Sequence, residues 1–272
     1  MNLSMFTCYA LGQSFATPQD AFRHFYEKGI RYGDIVDEEL AEIPLPLYAE
    51  LLKDAGITPG SLISMLDIAS FSEKERKRNI GAVKAYIDQM EKLKIPLLML
   101  APEVRYARSA DEFKRMQELL VEGFSQVVEY AKGSGVMVTI ENQSVSVRAD
   151  SGMQDIRYIL DCVPGLGYVL DSGNFFCIGE DVLEAYDLLR DRLVHVHFKD
   201  WNWNQYGSFV RENMPRFHGV VLGQGLLPLS ELVRRMKRDG YKGNIVLEIN
   251  AGRITLEMLD ASAEFLRSEI YV

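Results

Sequence analysis

Residues 136–198 read VMVTIENQSVSVRADSGMQDIRYILDCVPGLGYVLDSGNFFCIGEDVLEAYDLLRDRLVHVHF. Three short apolar runs stand out: VMVTIEN (136–142), LGYVLDS (166–172) and LVHVHF (193–198). Two stretches of helical period, 152–162 and 180–191, separate them. Short runs rich in β-branched and long apolar residues are strands buried on both faces, and the longer periodic segments are helices. Neither link is a hairpin turn, so the strands are parallel and joined by right-handed crossovers.

The same rhythm extends in both directions. Upstream lie MFTCYAL (5–11), YGDIV (32–36), LISMLDI (62–68) and LLMLA (97–101); downstream lies NIVLEI (244–249). Helices are predicted between and after them. One opens at Thr17-Pro18, an N-cap residue followed by a proline at the first helical position. Another covers 73–94, with Ile80, Val83, Ile87 and Met90 on one face. A third follows Ser109 and Glu112, a capping-box pair. Shorter ones fit 45–55, 229–239 and 255–268. Eight strands alternating with eight helices predict an α/β fold, a closed (β/α)₈ TIM barrel. No G-x-G-x-x-G follows the first strand, which disfavours a dinucleotide-binding sheet. No Pro-, Gly- or Ser-rich linker interrupts the pattern, so residues 1–272 are expected to form a single domain. The stretch after the seventh strand is too long for one helix. Its extra piece, about 201–226, carries Trp201, Trp203, Tyr206, Phe209, Arg211 and Arg216 and is expected to wall the site.

Composition narrows the function. The chain has 272 residues, 47% hydrophobic and 25% charged, with a formal net charge of −9. That acidity speaks against a nucleic-acid partner. Three cysteines cannot build a disulfide framework, which points to a reducing compartment. The start has no basic segment followed by an apolar one, and no run of about 18 apolar residues occurs. A cytoplasmic protein with no membrane partner is expected.

Active sites of such barrels lie at the C-terminal strand ends. The last four strand segments end in Glu141, Asp171, His197 and Glu248. Period-two alternation puts Thr139 with Glu141, and His195 with His197, on one face. If that face is the barrel interior, three carboxylates and an imidazole converge at the mouth. Three like charges in one cavity repel unless a cation lies between them. Oxygen ligands with one nitrogen and no thiolate suit Mn²⁺ or Mg²⁺, with Co²⁺ and Zn²⁺ as alternatives. His195, one layer deeper, reads as a core or supporting residue. Lys199 shares the face of His197 and could neutralise an oxyanion or a phosphate. Asn142, Arg211 and Arg253 are further candidates for substrate hydroxyls or anionic groups.

The segments IENQS (140–144), VLDSGNF (169–175), HVHFKD (195–200), LGQG (222–225) and GYKGNIVLEIN (240–250) resemble the xylose-isomerase-like TIM-barrel superfamily. They are most similar to its sugar-phosphate isomerase/epimerase branch, which holds ketose 3-epimerases and inosose dehydratases. The resemblance implies that Glu141, Asp171, His197 and Glu248 bind one divalent metal, with Mn²⁺ favoured. It implies that Glu141 and Glu248 also exchange protons with substrate through a metal-stabilised cis-enediolate. Asn174 stands where the epimerases commonly carry a substrate-binding histidine, and Val147 where they carry a further glutamate. The implied function is an isomerase or epimerase of a sugar or sugar phosphate. The alternatives are dehydration of an inosose or similar keto-polyol and a non-catalytic sugar-binding barrel. A DNA-repair barrel of the same superfamily would need a histidine-rich site, and this chain has four histidines in all. The branch's habit implies a homo-oligomer.

Overall fold

The computed structural model describes residues 1–102, 106–209 and 215–271. Eight parallel strands close into a barrel: β1 (Asn2–Phe6), β2 (Tyr32–Val36), β3 (Thr58–Ser64), β4 (Leu97–Leu100), β5 (Met137–Glu141), β6 (Gly167–Asp171), β7 (Leu193–Phe198) and β10 (Asn244–Leu247). Pairing of β1 with β10, Leu3 opposite Ile245, completes the ring. Between β7 and β10 a small antiparallel pair, β8 (Trp201–Trp203) and β9 (Phe217–Gly219), stands apart from the barrel sheet.

Ten α-helices are described: α1 (Thr7–Leu11), α2 (Pro18–Glu27), α3 (Leu45–Asp54), α4 (Glu73–Leu93), α5 (Ala110–Ala131), α6 (Met153–Cys162), α7 (Ser172–Ile178), α8 (Val182–Leu189), α9 (Leu229–Arg238) and α10 (Leu256–Tyr271). Their starts follow the chemistry of the sequence. Thr17 caps α2 by accepting from the Asp20 amide, with Pro18 as the first helical residue. Ser109 caps α5 by accepting from the Glu112 amide. The Glu112 carboxylate reaches back one residue further than a capping box requires, to the Arg108 amide at 2.8 Å.

Two strand expectations need correction. The apolar run 5–11 is not one strand: β1 stops at Phe6 and Thr7 begins α1. A short apolar run carries no period that separates strand from helix. Thr7 settles it by donating to the Asp34 carbonyl at 3.0 Å, which turns the chain off the barrel. The third strand lies at Thr58–Ser64 rather than 62–68. Pro59 and Gly60 resemble a turn in sequence but sit at the strand's start, where a missing amide is tolerated. The chain leaves the barrel after Ser64, and Asp67 bends it by accepting from the Ala69 amide at 2.9 Å. The alternation is also less strict than expected, since α1, α7 and the β8–β9 pair are additional elements.

Most of the core lies between the strands and the surrounding helices. A second apolar cluster, Phe6, Ile63, Met99, Ala101, Val169 and Val246, fills the barrel interior. These share strand parity with Asp34, Glu141, Asp171 and His197. One face of each strand therefore supplies both the interior plug and the polar groups at its ends. Among the described residues no helix is long and apolar enough to cross a membrane.

Candidate metal centre and active site

Glu141 ends β5, Asp171 ends β6, His197 is the penultimate residue of β7, and Glu248 follows β10. Asp171 and His197 are register partners on adjacent strands. Glu248 extends the ladder one step, its amide donating to the Phe198 carbonyl at 3.1 Å. One ligand atom from each of the four residues lies within 4.8 Å of all the others, and all four side chains are buried.

Asp171 has two jobs. Its Oδ1 caps α7, accepting from the Gly173 and Asn174 amides at 2.8 and 2.9 Å. That pins the carboxylate and turns Oδ2 into the mouth. Gly173 is required here: a Cβ would come within 2.5 Å of both the Lys199 Cβ and the Trp201 Nε1. His197 is held edge-on by the Phe6 ring, centroids 5.0 Å apart. Its Nδ1 faces Glu141 Oε1 at 2.7 Å and Glu248 Oε2 at 3.4 Å. Lys199 lies against the same group, its Nζ 2.6 Å from Asp171 Oδ2 and 3.0 Å from Glu248 Oε1.

The electrostatics follow from this crowding. Burial pushes Asp171 up to about 7; Lys199 opposes the rise, while Glu248 and Glu141 add to it. Burial would also raise Glu248, but Lys199 and His197 hold it below the ordinary carboxylate range. Burial would lower His197, and its carboxylate neighbours, Glu141 first, drive it well upward instead. Lys199 is likewise driven up by Asp171, Glu248 and Glu141 against its burial.

The atoms facing the enclosed space meet only through ion pairs, without hydrogen bonds. Glu141 Oε1, Asp171 Oδ2, His197 Nδ1 and Glu248 Oε2 are buried there and make no hydrogen bond, and neither does His197 Nε2, which faces Asp34 below. The short contacts among them lack hydrogen-bond directionality. Buried polar atoms without hydrogen bonds are costly, and a convergent set of them suits an ion or water. Three carboxylate oxygens and one imidazole nitrogen fit a divalent cation of the Mn²⁺, Mg²⁺ or Zn²⁺ type.

The other expected substrate contacts fall in different places. Asn142 is fully buried and its amide is spent inside the barrel wall. It donates to the Asp171 carbonyl at 3.0 Å and accepts from the Asp171 amide at 2.9 Å and the Tyr168 hydroxyl at 2.8 Å. That makes it a brace between β5 and β6 rather than a group facing the mouth. Asn174 donates to the Asn142 carbonyl at 2.9 Å and accepts from Lys199 at 3.2 Å, so it aims the lysine. Arg253 is exposed on the loop after β10, outside the quartet. Arg211 lies outside the described residues. Trp201 is buried and donates to the Gly173 carbonyl at 3.0 Å, while Trp203 packs on Phe176 and Phe217.

Three features escaped sequence reasoning. Gln143 donates to Glu141 Oε2 at 3.3 Å, and its parity with Glu141 would have flagged it. Asp34 lies fully buried beneath the quartet, 2.6 Å from His195 Nε2. An aspartate inside the apolar run YGDIV was the available signal. Asp200, after β7, accepts from the amides of Trp201, Gly223, Gly225 and Leu227 and so fastens the LGQG turn.

Four convergent buried side chains at the mouth of a parallel barrel form a possible metal-binding site on a (β/α)₈ fold. The chain belongs to the xylose isomerase-like TIM barrel family, whose model matches residues 20–269. It is 24% identical to the inosose dehydratase of Lacticaseibacillus casei over 132 residues, 46% of this chain and 40% of that protein. It is 27% identical to the fructoselysine 3-epimerase of Escherichia coli O157:H7 over 133 residues, 48% of this chain and 44% of that protein. Both matches thus span less than half of the relative's length. A solved structure of the IOLI protein with a bound zinc atom shares the fold with a TM-score of 0.81, covering 99% of this chain and 98% of that one at 18% identity.

Proposed function

We propose that this protein is a divalent-metal-dependent isomerase or epimerase of a sugar or sugar phosphate. The observation that carries the reading is the set of four buried ligand atoms, one from each strand end, that converge without hydrogen bonds. Glu141, Asp171, His197 and Glu248 would hold the ion, Mn²⁺ first among the candidates. When bound, such an ion supplies Lewis acidity to a substrate carbonyl and its neighbouring hydroxyl.

The chain's own groups do the rest. Glu141 and Glu248 enter the mouth from β5 and β10, with two strands, β6 and β7, between them around the ring. A substrate carbon between them would meet one carboxylate on each side: one takes the proton, the other returns it. Lys199 is kept charged by its carboxylate neighbours and faces developing negative oxygen as a donor. Asn174 holds it in that direction. Deep burial of the quartet keeps bulk water from the exchanging proton.

A second reading is a dehydratase of an inosose-like keto-polyol. The Lys199 ammonium 3.0 Å from Glu248 favours it, because expulsion of a β-hydroxyl needs an acid beside the base. Both readings take a small polyhydroxylated substrate. We further propose one barrel domain over residues 1–272, a cytoplasmic setting compatible with a chain of only three cysteines, and a homo-oligomeric assembly.

The test begins with metal content of the purified protein by mass spectrometry, then incubation with a panel of ketoses in D₂O. One equivalent of divalent metal and deuterium entering the carbon next to the carbonyl are expected. E248Q, compared at saturating metal, should lose exchange. Undiminished exchange in E248Q would remove it as a proton carrier. An ultraviolet-absorbing enone or dione product would select the dehydratase.

A further inference from the structure

Beneath the quartet lies a polar layer that the proposed reaction does not use. Asp34 comes from β2, where the pairing with β3 shifts register between Gly33 and Asp34. Such a bulge re-aims a side chain. Gly33 leaves the room, since a Cβ there would lie 2.9 Å from the Thr7 methyl. The Asp34 carboxylate points across the barrel interior to β7. Its Oδ1 accepts from the Ser4 hydroxyl at 2.8 Å. Its Oδ2 meets His195 Nε2 at 2.6 Å and faces His197 Nε2 at 3.7 Å. The two imidazole rings stand edge to face, centroids 5.4 Å apart. Asp34, His195, His197 and Ser4 are all essentially without solvent exposure.

This geometry bears on which nitrogen of His197 is free. Nδ1 faces Glu141 and Glu248; Nε2 faces Asp34. A metal-ligating imidazole must offer a lone pair at one nitrogen, and a carboxylate at the other nitrogen holds the proton there. At 3.7 Å, Nε2 is outside hydrogen-bond range, and a shift of about 0.5 Å brings it within. Ser4 and His195 anchor the carboxylate from two sides, so closing that gap falls to the His197 ring. We infer that Asp34 is a positioning residue that fixes the His197 tautomer and orientation and thereby sets the metal affinity of the mouth. This rests on the quartet being a metal centre.

The experiment measures the Mn²⁺ dissociation constant of the full chain by the electron paramagnetic resonance of free Mn²⁺, for wild type, D34N and S4A. D34N keeps the shape and removes the charge; a loss of affinity of about 10–100-fold is expected. S4A removes one anchor and keeps the charge, so a smaller loss is expected. Unchanged affinity in folded D34N overturns the assignment and leaves the metal centre standing. Failure of the wild type to bind any divalent ion overturns the metal centre itself. A second measurement covers a D34N that does not fold. In zinc-loaded wild type carrying ¹⁵N-histidine, a slowly exchanging, downfield Nε2 proton is expected on His197. A fast-exchanging proton at an ordinary position refutes the hydrogen bond.

Discussion

Replacing Asn142 by alanine tests whether this residue serves substrate or structure. The side chain has no solvent exposure, and its amide ties three groups together: the Asp171 carbonyl, the Asp171 amide and the Tyr168 hydroxyl. Alanine removes all three bonds and leaves a buried carbonyl, a buried amide and a buried hydroxyl. Each unpaired buried group costs about 1–3 kcal/mol. A water admitted to the vacated space recovers part of this, because the lining is polar. The net expectation is a loss of about 3–6 kcal/mol, a large fraction of the roughly 5–15 kcal/mol that holds a folded domain. Asp171 sits on the ruptured bonds, so metal affinity should fall with stability. The assay is urea unfolding followed by circular dichroism, with metal absent, paired with a Mn²⁺ titration of the folded protein. A midpoint within about 1 kcal/mol of wild type would refute the brace and return Asn142 to the substrate side.

Two other sites give independent checks. A Cβ at Gly225 would strike the Asp200 carboxylate and sit 2.6 Å from the Trp201 carbonyl, while that carboxylate accepts four backbone amides. G225A and D200A should each cost about 2–4 kcal/mol, and the double variant clearly less than their sum; a double-mutant cycle that adds would refute a shared anchor. Burial first, then Glu180 and Asp150, push Asp155 up to about 6 from the usual 3.8. A carboxyl raised on folding binds its proton more tightly in the native state. Its penalty is therefore absent below about pH 4 and grows as pH rises through about 6. Partial exposure screens the effect to about 1 kcal/mol. D155N should unfold later than wild type at pH 8 and together with it at pH 4; a gain at pH 4 instead would show that the charge is not the cause.

The barrel and the four polar strand ends at its mouth were legible in the linear chain because both rest on local periodicity. Period two along VMVTIEN and LVHVHF places Glu141 beside Thr139 and His197 beside His195, whatever the rest of the chain does. Alternation of strand and helix leaves few ways to bury eight parallel strands, and closure is among them. The acidity that spoke against nucleic acid includes three carboxylates that the fold gathers at one place. Boundaries were less legible where an apolar run has no period, as at Thr7–Leu11, or where proline and glycine sit at a strand's start, as in β3.

The linear chain dictates which side chains face inward. Which of them meet depends on how the strands pair and close. Asp34 and His195 are 161 positions apart in sequence and touch because β2 and β7 stand across one barrel. Asn142 follows Glu141 in the chain, yet points away from the mouth and is consumed by Asp171 on the next strand. Lys199 lies between Asp171 and Glu248 because β7 separates β6 from β10 in the ring. Parity is set by the backbone of a single strand, whereas a hydrogen bond is set by the register and closure of several. The first is written in five or six residues; the second exists only once the eighth strand has paired with the first.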